Sequence, residues 1–142
     1  MLGAGSGCEA VLRTRHPVPP RRRIATAAAN LFAAHGVRAV GMDRLAVEAE
    51  APKPLIYQHY PSKNAIILEW LATLAAEERE IWQDLAELYP NQPAAQLLAF
   101  AARTVRRCGE QNFRGCMFTN TLAEQADRCD PIREAITRHK ID

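Results

Sequence analysis

An all-α fold follows from three features of the sequence. Strong helix formers dominate, with 25 Ala and 13 Leu against 14 Val and Ile together, a balance that favours helix over sheet. Apolar residues recur at i, i+3, i+4 and i+7 along most segments, the spacing of a helix with one buried face. Pro, Gly and Ser fall between these segments, where helices start and stop. The 142 residues, 48% apolar and 24% charged, suit one compact domain or two very small ones.

Residues 1–20 are rich in Gly, Pro and Arg and read as a disordered tail. Arg21 to His35 places Ile24, Ala28, Leu31 and Phe32 on one helical face, and Gly36 is a natural stop for it. Met42, Leu45, Ala46 and Ala49 mark a short second helix, and Pro52 or Lys53 opens a third that runs through Tyr60. Ser62 is placed to cap a long fourth helix from Lys63 to Tyr89, whose stripe is Ile67, Leu71, Leu74, Ile81, Leu85 and Leu88. Pro93 suits the first position of a fifth helix, which carries Leu97, Leu98, Ala101 and Val105 and stops at Gly109. Gln111 to Gly115 reads as a loop and Cys116 to Ala126 as a sixth helix. Asp130 and Pro131 cap a seventh, running to Asp142.

No charge-free stretch reaches the roughly 20 residues a spanning helix needs, and the N-terminus lacks a signal-peptide pattern. Cys8, Cys108, Cys116 and Cys129 form no CxxC pair and read as reduced thiols, so a cytoplasmic protein without a membrane partner is expected. Charge is uneven. Residues 1–64 carry nine Lys and Arg against four acids, a balance of +5, whereas residues 65–142 carry nine against twelve, a balance of −3. A basic front is suited to a polyanion.

Nothing points to catalysis. GxSxG, HExxH and GxxxxGK[ST] are all missing from the sequence, and His16, His35, His59 and His139 stand singly without ligand spacing. Neither cofactor nor metal is implied. Two short helices joined by a tight turn, Met42–Ala49 and Lys53–Tyr60, instead have the form of a helix-turn-helix, in which the second helix meets base edges in the major groove. Ile56 and Tyr60, four apart, should face the core, leaving Lys53, Leu55, Gln58 and His59 outward.

Residues from about Arg22 to Leu68 resemble the DNA-binding domain of the TetR family of bacterial transcriptional regulators. Leu55-Ile56-Tyr57-Gln58-His59-Tyr60-Pro61-Ser62-Lys63 is similar to the family's Leu-Tyr-x-His-Phe-x-x-Lys run. Ala27-Ala28 with Leu31-Phe32 and Gly36-Val37 resembles its first helix and stop, and Asp43-Arg44-Leu45-Ala46 its second. The resemblance implies a three-helix DNA-binding domain over residues 21–66, with the helix-turn-helix at about 42–60, and a partial ligand-binding and dimerisation domain over 67–142. It places Lys53, Leu55, Tyr57, Gln58 and His59 at DNA and Lys63 at a phosphate. The chemistry fits these roles. Lys53 and Gln58 can donate to G and A edges, Leu55 can pack on a thymine methyl, and Tyr57 and His59 can donate to phosphate oxygens. Lys63 adds its charge to a helix N-terminus.

The resemblance further implies a repressor released from a double-stranded operator by a small apolar effector, and a homodimer. Trp82, Phe100, Phe113, Met117 and Phe118 are the candidate lining of an effector pocket. Phe113 to Asn120 is similar to the loop into helix six in one branch of the family. Family members continue through two more long helices, whereas this chain runs about three turns into its seventh, which reads either as a C-terminal truncation or as dimer contacts that differ from the family's. Glu50, Pro54 and Gly41 depart from the family pattern at the turn, in the recognition helix and at the helix-two cap. A helical interaction module that has lost operator binding is the alternative reading.

Overall fold

The computed structural model describes residues 18–110, 113–125 and 130–141. Nearly all of the expected N-terminal tail, Cys8, Cys129 and the predicted end of helix six at Ala126 lie outside these residues. Seven helices make up the described chain: α1 (Pro20–His35), α2 (Met42–Glu48), α3 (Lys53–His59), α4 (Lys63–Leu88), α5 (Pro93–Glu110), α6 (Met117–Glu124) and α7 (Pro131–Ile141). No strand occurs among the described residues. Boundaries fall within two residues of those read from the sequence, and Pro20, assigned to the tail, proves to be the first residue of α1.

The N-terminal helices form one core. Ile24, Ala27, Ala28, Leu31 and Phe32 of α1 are buried with Val37, Val40, Leu45, Ala49, Ala51, Ile56 and Tyr60, and Ile66, Ile67, Trp70 and Leu71 of α4 close it. The Phe32 and Trp70 rings meet at 5.4 Å and 55°, a tilted contact that ties α1 to the start of α4. Ser62 caps α4 as its residue type predicts, its hydroxyl accepting from Ala65 N–H at 3.2 Å. α4 then runs on 26 residues and carries α5 and α7 against its later turns. Phe118, Ile132 and Ile136 bring α6 and α7 into the same cluster.

α5 departs from the sequence reading. Its apolar positions Leu97, Leu98 and Val105 are 61%, 72% and 70% exposed. The helix rests on α4 through the opposite side instead, where Phe100 stacks on Trp82 at 4.4 Å and 17°. Periodicity located an apolar stripe correctly but could not say which side would meet α4. Leu88, expected on the buried stripe of α4, is also largely exposed.

Candidate nucleic-acid interface

The turn between α2 and α3 is a Schellman motif. Ala51 N–H donates to Ala46 O at 3.0 Å and Glu50 N–H to Val47 O at 3.1 Å, satisfying carbonyls that the end of α2 leaves free. This closure requires positive φ at the residue after the C-cap, and Glu50 adopts it at 49°. Ala51, small and buried, turns the chain into α3. Pro52 serves as N-cap, its carbonyl accepting from Leu55 and Ile56 N–H at 2.9 and 3.2 Å. Pro54 falls in the first turn of α3, where a missing N–H costs no helical bond. Gly41 caps α2 without a side-chain bond.

Ile56 and Tyr60 point into the core, 0% and 2% exposed. Arg21 and Glu69 hold Tyr60 further: its hydroxyl donates to Glu69 Oε1 at 2.7 Å, the Arg21 guanidinium lies 4.8 Å from its ring centroid, and Arg21 pairs with Glu69. Burial, then the bond to Glu69 and its charge, push the Tyr60 phenol up to about 12, against a smaller opposing effect of Arg21. The orientation of α3 is thereby set by groups on α1 and α4.

With that side anchored, Lys53, Tyr57 and Gln58 are exposed. Leu55 and His59 are only half-buried at the edge, and Leu55 packs against the core, so the fully outward placement expected of both needs correcting. The alternation follows from helix geometry, because Leu55 and His59 flank the Ile56 and Tyr60 stripe. Lys53 Nζ pairs with Asp43 Oδ1 at 2.5 Å, a partner the sequence reading did not assign. Arg44, also on α2, donates to His35 Nε2 at 2.7 Å. Lys63 sits half-buried in the first turn of α4, where burial lowers its ammonium below the ordinary value and Glu124 partly restores it.

Residues 24–70 match the model of the bacterial regulatory proteins of the tetR family. SCO4454 of Streptomyces coelicolor, a TetR-family transcriptional regulator of known crystal structure, superposes with a TM-score of 0.80 at 30% identity, over 86% of this chain and 64% of that one. Residues 24–70 are therefore assigned to the TetR family. The HTH-type transcriptional repressor SCO4008 of Streptomyces coelicolor is 40% identical over 55 residues, which are 39% of this chain and 29% of that protein. Reduced Escherichia coli NemR shares the fold, with a TM-score of 0.69 at 24% identity, over 84% of this chain and 63% of that one. The chain therefore spans less than two thirds of these relatives.

In this TetR-family fold the five candidate effector contacts fall into separate settings. Trp82 and Phe100 stack on each other between α4 and α5. Phe118 is buried and stacks on His139 of α7 at 4.1 Å, with Met117 packed beside the core, while Phe113 is 54% exposed. His139 Nε2 in turn lies 3.2 Å from Glu78 Oε2, linking α7 back to α4. A groove of about 200 Å³ between α4 and α6 is lined by none of the five; Val37, Arg38, Lys63, Asn64, Ile67, Glu124 and Gln125 form its walls. Among the described residues no group of His, Cys, Asp or Glu is arranged to hold a metal, and no helix is long and apolar enough to cross a membrane.

The two described cysteines differ in character. Cys108 is half-buried, whereas Cys116 is exposed at the N-cap of α6. Partial burial raises the Cys116 thiol, but hydrogen bonds from Thr119, the Lys140 charge and the Phe118 N–H outweigh it and leave the thiol below its ordinary value. Lys140 Nζ lies 3.7 Å from its sulfur. Limiting iodoacetamide near neutral pH is expected to alkylate Cys116 well ahead of Cys108, as read by peptide mass spectrometry. Equal labelling, or labelling of Cys108 first, would contradict the thiolate character assigned to Cys116.

Proposed function

We propose that the chain is a sequence-specific DNA-binding transcriptional regulator whose α3 enters the major groove. The observation that carries this reading is the anchored α3, which turns Ile56 and Tyr60 inward and leaves Lys53, Tyr57 and Gln58 on a free surface. Gln58 and Lys53 are the base-reading side chains in this proposal; Tyr57 and His59 contact phosphates, and Leu55 meets a thymine methyl from the edge of the core. Lys63 supplies a phosphate contact beside the N-terminus of α4. SCO4008 is named a repressor, which supports repression as the direction of control here. Release by a small apolar effector, with Trp82, Phe100, Phe113, Met117 and Phe118 as its contacts, and action as a homodimer complete the proposal.

A mobility shift on the DNA flanking the protein's own gene tests the reading, and two variants separate its parts. Lys63→Ala is expected to weaken binding to all sequences alike and to reduce the salt slope by about one unit. Gln58→Ala should change base preference while leaving that slope in place. A uniform loss across operators would remove Gln58 from the base-reading set. One observation favours the alternative of a non-DNA interaction module: Asp43 and Glu50 put carboxylates beside α3, and Asp43 occupies Lys53. Failure of the wild-type chain to shift any duplex at low salt would decide for that module.

A further inference from the structure

The end of α6 is seated on the N-terminal domain by one carboxylate. Glu124 Oε2 accepts the backbone N–H of Arg38 at 2.6 Å across 86 residues of sequence. The same carboxylate lies against Gly36, where an added Cβ would come within 2.3 Å of Oε1 and push the Glu124 side chain aside. Gly36 is also held at φ 83° as the cap of α1, a second reason for its residue type. Across the groove stands Lys63, whose half-buried ammonium feels the Glu124 charge. Arg38 and Asn64 complete the polar wall.

Lys63 thus shares a groove with a carboxylate of its own chain, and that carboxylate is carried by a helix outside the DNA-binding domain. We propose that Glu124 and a DNA phosphate are alternative counter-ions for Lys63, so that the seating of α6 on residues 36–38 sets how much of the Lys63 charge is available to DNA. The inference rests on the DNA-binding reading above and adds a positioning residue that the sequence motifs do not contain. A phosphate drawing Lys63 towards the duplex must compete with a carboxylate already fixed by the Arg38 N–H. Any displacement of α6 from the loop removes that competitor without altering a residue of α3.

The contact is to phosphate, so a labelled duplex of about 30 random base pairs serves as the probe, its binding measured by anisotropy between about 50 and 300 mM salt. Glu124→Gln keeps a carbonyl acceptor for Arg38 and removes only the charge. It is expected to bind about three- to tenfold tighter at the lowest salt, with a salt slope steeper by up to about one unit. In a Lys63→Ala background the gain should vanish. Thermal melting followed by circular dichroism checks that each variant is folded. Unchanged affinity on loss of the carboxylate, or a gain that persists without Lys63, overturns the inference while leaving DNA binding intact. Absence of binding by the wild-type chain instead overturns the functional reading beneath it.

Discussion

Ile56→Ala is expected to destabilise the N-terminal domain by about 2–5 kcal/mol, the range for truncating a fully buried branched side chain to its first carbon. Ile56 has no exposed surface and lies in the shared core, with α3 packed against α1 and α2. The turn that delivers it is closed by backbone bonds on either side, so α3 has little freedom to settle into the space left behind. A domain with roughly 5–15 kcal/mol of total stability would lose a large share of it. DNA binding should fall with the folded fraction on warming, although no atom of Ile56 faces the groove. Denaturant unfolding gives the magnitude, and Gln58→Ala, which removes only exposed atoms, should leave the midpoint near its original value. A loss below about 1 kcal/mol for Ile56→Ala would mean that α3 is not held against the core as described.

The contrast between Ile56 and Glu124 shows which features were legible in the sequence. Helical period sends Ile56 and Tyr60 to one side of α3, and both are buried. Ser62 and Gly36 announce helix ends through hydroxyl acceptor chemistry and tolerance of positive φ, and both stand where expected. These are local rules, acting over four residues or fewer. Contacts between distant segments carry no such signal. Glu124 reaches Arg38 across 86 positions, and one acidic residue on a short helix gives no indication of its partner. The α5 stripe failed for a related reason: the period identifies an apolar side, but the choice of side packed on α4 depends on Trp82 and Phe100 meeting across two helices. The split of the five proposed effector contacts has the same origin, since aromatic spacing along each helix is silent about the relative placement of α5 and α6.

Glu50→Gly should raise both stability and DNA affinity, from two separable causes. At φ 49° the side chain stands in the left-handed region, a conformation that costs an L-residue about 1–2 kcal/mol relative to glycine. Glycine returns part of that gain because its unfolded chain has more freedom to lose, an opposing effect of about 0.4–1 kcal/mol. The net stabilisation expected is therefore about 1 kcal/mol, visible as a rise in Tm. The Schellman bonds from Glu50 and Ala51 N–H use backbone atoms alone, so the substitution leaves them in place. Affinity changes through charge instead. The Glu50 side chain is exposed on the turn entering α3, where its carboxylate opposes the approach of phosphates. Removing it should tighten binding most at low salt, with the gain shrinking as the screening length falls. Glu50→Gln divides the two effects, because it removes the charge and retains the side chain at positive φ. It should reproduce the affinity gain with little change in Tm. If Glu50→Gly instead lowered Tm, the α2–α3 turn would not hold its left-handed residue in solution. The outward placement of Lys53, Tyr57 and Gln58, which depends on that turn, would then fail with it.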